Sequence, residues 1–215
     1  MKHIMITKTC SFMKDNFSFS KIPVFFLSAL SFLILLYSCA PSKPSLKKLS
    51  VTEPEKVVSK QDSLLALSKE RRPEFVSILS TAHINIARKS ESSGDRKTAL
   101  KEYKKVLAID PKNKTARYEL LVLEGLSLYK KGSKTALWDA IEIFSKASMV
   151  NQEDGVASYW IAKSYEKKDN NDYDLIIEAY EDSLNKILPE KLRLDAQGSK
   201  EAAYKKKKTF NSFWK

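Results

Sequence analysis

From Pro54 onward, apolar side chains recur at the three- and four-residue spacing of an α-helix almost without interruption. No short alternating run of β-branched residues bounded by turn signals intervenes, so a sheet has no obvious place to start. The chain is therefore expected to be all-α. Helices are predicted over 54–71, 73–92, 95–109, 114–131, 134–150, 155–168, 172–187 and 190–208. Pro54 and Pro73 fall in first turns, where a missing N–H costs little. Asp95, Asn113, Ser133 and Asp172 stand where a side-chain oxygen can cap free backbone N–H groups. Gly94 and Gly132 mark two points at which a helix must end.

The helices are organised as hairpins. Residues 80–113 carry Gly94 and Asp95 at a turn, Ala99 where two helices must approach closely, and Tyr103 as a large packing residue; Leu107, Ile109, Asp110 and Pro111 close the unit. Ile86 and Ala87 supply an aliphatic and small pair in its first helix, with His83 and Ser90 at the flanking positions. A second unit repeats the pattern as Ala140, Phe144 and Ala147, after a first helix about seven residues longer. A third offers Ile161, Ala162 and Tyr165, then Tyr173, Ile176, Tyr180 and Leu184, with two extra residues in the 169–172 turn. Helix-turn-helix units of about 34 residues with this content resemble the tetratricopeptide repeat (TPR) over roughly 80–189. The resemblance implies a short right-handed solenoid with a concave groove lined by the first helix of each unit. One hairpin cannot bury its apolar face alone, so caps are required. Leu64, Leu65, Leu67, Phe75, Ile78, Leu79 and Ala82 fit an N-terminal capping pair over 54–79. Leu192, Ala196, Ser199, Ala203 and Phe210 form the inward stripe of a C-terminal capping helix in 190–215, which ends in a basic tail. A plain helical bundle is the alternative.

The N-terminus reads differently. Residues 22–37 (IPVFFLSALSFLILLY) hold no charge and follow Lys14 and Lys21. As a helix they would span ~24 Å, short of a transmembrane segment and within the range of a signal-peptide apolar region. Leu36, Tyr37, Ser38, Cys39, Ala40 and Pro41 follow. This run resembles the lipobox of bacterial lipoproteins, with Tyr37 bulkier than the residue usual there. The resemblance implies a signal peptide over 1–38, with Met1 or Met13 as its start. It also implies a diacylglycerol on the Cys39 thiol and a further acyl chain, such as palmitate, on the freed amine. Several chains anchor stably where one would not. Ala40 rather than Asp after the cysteine implies the periplasmic face of the outer membrane. Residues 39–53, rich in Pro, Ser and Lys, are expected to act as a flexible tether. An uncleaved, signal-anchored helical protein is the alternative.

Charge bears on partners. The chain carries +12 formally; its first 38 residues hold four Lys against Asp15, leaving 34 basic and 25 acidic groups, or +9, beyond them. That balance favours anionic partners, although nucleic acid is set aside in a periplasmic setting. The chemistry available is narrow. Cys10 and Cys39 are the only cysteines, and His83 is the only histidine after residue 38, so thiolate–imidazole metal sites and Cys/His nucleophile pairs are excluded from the mature chain. No phosphate-cradling glycine loop or Ser-His-Asp set stands out. No enzyme activity, cofactor or metal is expected, and His83 is placed between repeat helices.

A protein-interaction scaffold is the expectation, with TPR lipoproteins of similar layout implying an adaptor role in envelope assembly. Counting along each unit puts Ile84, Arg88, Tyr118, Val122, Tyr159, Lys163 and Lys167 on the concave face. Two aromatics among three cations suit an acidic peptide or helix. The second candidate surface is Lys205, Lys206, Lys207 and Lys208 with Phe210, Phe213 and Trp214, suited to an anionic membrane or cell-wall polymer. Labelled palmitate fed to producing cells should enter the wild-type chain, while Cys39→Ser should abolish labelling and accumulate precursor. Label retained by the variant would rule out Cys39 as the anchor.

Overall fold

The computed structural model describes residues 45–213 apart from Ser68 and Asn170. Cys39 and Trp214 lie outside the described residues, as do the signal-peptide assignment and the start of the expected tether. The described chain is all-helical. Its elements are α1 (Leu46–Thr52), α2 (Pro54–Val58), α3 (Gln61–Ala66), α4 (Arg72–Ser92), α5 (Arg96–Ile109), α6 (Lys114–Lys131), α7 (Lys134–Val150), α8 (Val156–Lys168), α9 (Tyr173–Leu184) and α10 (Glu190–Phe213). Each helix from α4 onward packs on the next, giving a stack of hairpins. Among the described residues no helix is long and apolar enough to cross a membrane.

Local chemistry sets the boundaries. The side chains of Asp95, Asn113 and Ser133 accept from the backbone N–H groups of Thr98, Ala116 and Ala136. Gly94 and Gly132 take φ of 84° and 73°, a left-handed conformation that costs glycine little. Asp172 precedes α9 but makes no capping bond; it accepts instead from Lys168 Nζ at 2.7 Å. That ammonium lies 4.0 Å from the Trp138 ring centre, so its Asp172 bond is sheltered by an indole face.

Two expectations need correction. The segment 39–53 is not wholly a tether, because Ser45 caps α1, whose Leu46 and Leu49 pack against a cluster containing Val57, Leu64 and Leu79. Asn85 donates to the Ser50 carbonyl at 3.0 Å and pins α1 to α4. The predicted helix 54–71 is instead two short helices, α2 and α3. Breaking the chain there lets Val57 and Leu64 both reach α4, whereas Leu67 is 51% exposed and lies outside the core. At the other end α9 stops at Leu184, earlier than predicted, since the Gly155 N–H donates to Ile187 and the Ile187 N–H to Glu153, each at 2.8 Å.

The hairpins close through small residues. Ala87, Ala99, Ala140 and Ala162 are fully buried, beside Tyr103, Phe144 and Tyr180, also fully buried. A Cβ on Gly125 would stand 2.5 Å from the Phe144 ring, so α6 touches α7 only because that side chain is absent. Gly198, by contrast, has open space beside it on α10. Gly125→Ala should therefore destabilise by ~1–3 kcal/mol through overpacking, despite alanine's helix preference. Gly198→Ala should stabilise by ~0.5–1 kcal/mol. Thermal melting of both variants checks the pair, and equal shifts would contradict the packing assigned to Gly125.

Candidate functional site

The first helices of successive hairpins, α4, α6 and α8, carry the residues that sequence reasoning placed in a groove. At its N-terminal end lies a cavity of about 680 Å³, lined by Arg88 on α4, Lys114, Tyr118 and Glu119 on α6, and Asn151 and Asp154 in the turn before α8. Arg88 and Tyr118 are thus brought together. Val122 is buried with Tyr118, Ala147 and Ala157 in one apolar cluster and offers no surface.

The two tyrosines are not open anchors. Tyr118 and Tyr159 are each only 5% exposed, which corrects the expectation of rings offered to a partner. Tyr159 stacks edge-on with Trp160 and Tyr180, and its hydroxyl donates to Asp195 of α10 at 2.7 Å. The Tyr118 hydroxyl is buried against the Asp154 carboxylate. Burial, with the nearby Asp154 carboxylate, pushes its pKa up.

The cations are also less available than their sequence positions suggested. Lys163 lies 3.4 Å from Glu166 and 3.5 Å from Asp195. Burial works against its charge, yet those two carboxylates prevail and hold its pKa above the ordinary lysine value. Lys167 donates to the Tyr129 carbonyl at 2.9 Å and sits over that ring. Arg88 faces Glu119 at 3.7 Å. Glu119 has its pKa raised by burial, with Glu91 and Asp154 adding repulsion that Arg88 only partly offsets. Sequence counting missed these acids, since Glu119 sits beside Tyr118 in the same turn and Asp154 comes from a loop. The signal was present in the helix: Glu119 stands three residues before Val122, a spacing that puts two side chains on one helix face.

The tail extends α10 beyond its predicted end at 208. Lys205, Lys206 and Lys208 are exposed. Lys207 pairs with Asp174, and Phe210 leans on Tyr173 at 6.1 Å between ring centres. Phe213 is 81% exposed. No family model matches the chain, and no curated protein matches it.

His83 is fully buried, at the helix interface where sequence reasoning placed it. Its Nδ1 lies 2.6 Å from Glu102 Oε2 and its Nε2 2.7 Å from the Gln61 side-chain amide, joining α3, α4 and α5. Lys105 donates to the other Glu102 oxygen at 2.7 Å. Burial favours the neutral Glu102 carboxyl, but bonds from Lys105 and His83 outweigh it and hold the pKa below the ordinary glutamate value. A depressed folded pKa means stability that is present above the unfolded glutamate range and lost as pH falls through the folded value. Glu102→Gln should accordingly melt at a temperature that depends less on pH across that acidic window than wild type does. Parallel curves for the two chains would show that Glu102 does not contribute.

Proposed function

We propose that this chain is a TPR-like lipoprotein, held by acylated Cys39 at the periplasmic face of the outer membrane, whose groove binds a peptide or helix of a partner protein in envelope assembly. The groove works as a docking surface and not as a catalytic centre. The observation that carries this reading is the cavity at its N-terminal end, which places charged side chains and a buried tyrosine at an opening between successive hairpins. A peptide laid there replaces water on those charged groups, a source of specificity more than of bulk affinity. Because Arg88, Lys163 and Lys167 face internal partners, an acidic segment would have to compete with them for those contacts.

A second reading has its own support. Exposed Lys205, Lys206 and Lys208 beside exposed Phe213 suit contact with an anionic surface, each lysine near headgroups adding about 1 kcal/mol. A photoreactive amino acid placed in living cells at Thr115, on the cavity wall, should trap a discrete protein adduct. The same group at Glu142, exposed on α7 and outside that cavity, should not. Adducts arising at Lys205 but not at Thr115 would move the contact to the tail.

A further inference from the structure

We propose that the edge of the stack at which α6 turns into α7 and α10 ends docks on the anionic headgroups of a lipid bilayer. This widens the second reading above from the tail to a whole edge, and rests on it. Neighbouring hairpins bring the parts together. Lys167, in the last turn of α8, donates to the Tyr129 carbonyl at 2.9 Å, so the α8–α9 turn lies beside the α6–α7 turn. Lys207 pairs with Asp174 and Phe210 leans on Tyr173, which sets the end of α10 level with the start of α9. Lys130, Lys131 and Lys134 therefore share an edge with Lys205, Lys206 and Lys208. All six are exposed, and among the described residues none has an ion-pair partner.

The acids at this edge are already engaged. Glu166 faces Lys163, Asp172 faces Lys168 and Asp174 faces Lys207, while Asp169 accepts from the Asn171 backbone N–H at 3.1 Å. Residues 127–135 hold three lysines and no acid, whereas the α7–α8 turn, at the opposite edge, carries Glu153 and Asp154 and no lysine. Lys130 and Lys131 suit the carboxyl end of the α6 dipole. Lys134 does not, because it opens α7, where positive charge opposes the dipole and no acid stands in the first turn. Helix chemistry thus accounts for part of the edge and leaves Lys134 without a local reason.

Exposed rings are the second observation. Trp138, one turn into α7, is 46% exposed, and Phe213 is 81% exposed. Aromatic side chains beside cations settle at the headgroup level of a bilayer, where ring and charge both find a suitable medium. A dissolved anion would engage the cations and leave the rings in water. A lipid surface meets both.

For the test, the full chain is reconstituted in vesicles of phosphatidylcholine alone or with added phosphatidylglycerol. Its lysines are then briefly acetylated and read one by one by mass spectrometry. Lys130, Lys131, Lys134, Lys205, Lys206 and Lys208 should react at least about threefold more slowly on the anionic vesicles, and high salt should remove that protection. Lys112 and Lys191, exposed in the links at the opposite edge, should react alike on both. Lys131→Glu combined with Lys134→Glu, both at exposed positions, should relieve the protection of the tail lysines by about twofold or more. Protection confined to Lys205, Lys206 and Lys208, or unchanged there in the double variant, would overturn the edge and leave the tail reading standing. Equal protection of Lys112 and Lys191 would overturn it too, since no face would then be preferred. No protection at any lysine would remove the edge and the tail reading together, and the groove reading would be unaffected.

Discussion

A pair of helices can bury an apolar stripe only if their backbones come close enough to exclude water, and in this chain that closeness depends on one small residue facing one large ring. Ala99 precedes Tyr103, and Ala140 precedes Phe144, by four residues, which places each pair on one face of its helix. Gly125 meets the Phe144 ring directly. Tyr180 holds the corresponding place in the third hairpin, preceded by Ile176. The rings then connect across hairpins. Tyr129 lies 5.1 Å and Phe144 6.3 Å from Trp160, and Tyr159 bridges Trp160 to Tyr180. Edge-on and offset pairs of this kind add ~0.5–1.5 kcal/mol each beyond their burial.

That packing also shapes the groove. Ring hydroxyls reach out of the core to acids at its margin: Tyr103 donates to Glu91, Tyr180 to Glu166 and Tyr159 to Asp195. These acids are held in place by the core and in turn occupy the groove's lysines, as Glu166 and Asp195 do with Lys163. Tyr118 follows suit, its buried hydroxyl facing the Asp154 carboxylate.

Helix positions and caps were legible because they rest on local rules. The 114–131 and 134–150 helices match α6 and α7 residue for residue, each preceded by the side-chain cap read from Asn113 or Ser133. The capping pair was less legible. Its break into short helices serves contacts with α4 that no local propensity encodes, such as the Asn85 bond to Ser50, thirty-five residues away. The expected concave positions came from counting within repeats; Arg88 and Tyr118 do line one cavity, but counting says nothing about what another helix contributes. Asp195 lies thirty-six residues from Tyr159, and no spacing rule links them. Asp172 shows the same limit in reverse: a residue with capping chemistry at a capping place spends its carboxylate on Lys168.

The central claim is that the buried rings make the hairpins one mechanical unit, so that a rigid groove is available to a partner. Hydrogen exchange of the full chain carrying Phe144→Ala, followed helix by helix, tests it most directly. A truncation of this size in a closed core costs ~3–5 kcal/mol. The account predicts that α6, α7 and α8 lose protection together, because Gly125 and Trp160 both rest on that ring. Loss confined to α7, with α6 and α8 protected as in the wild type, would contradict it.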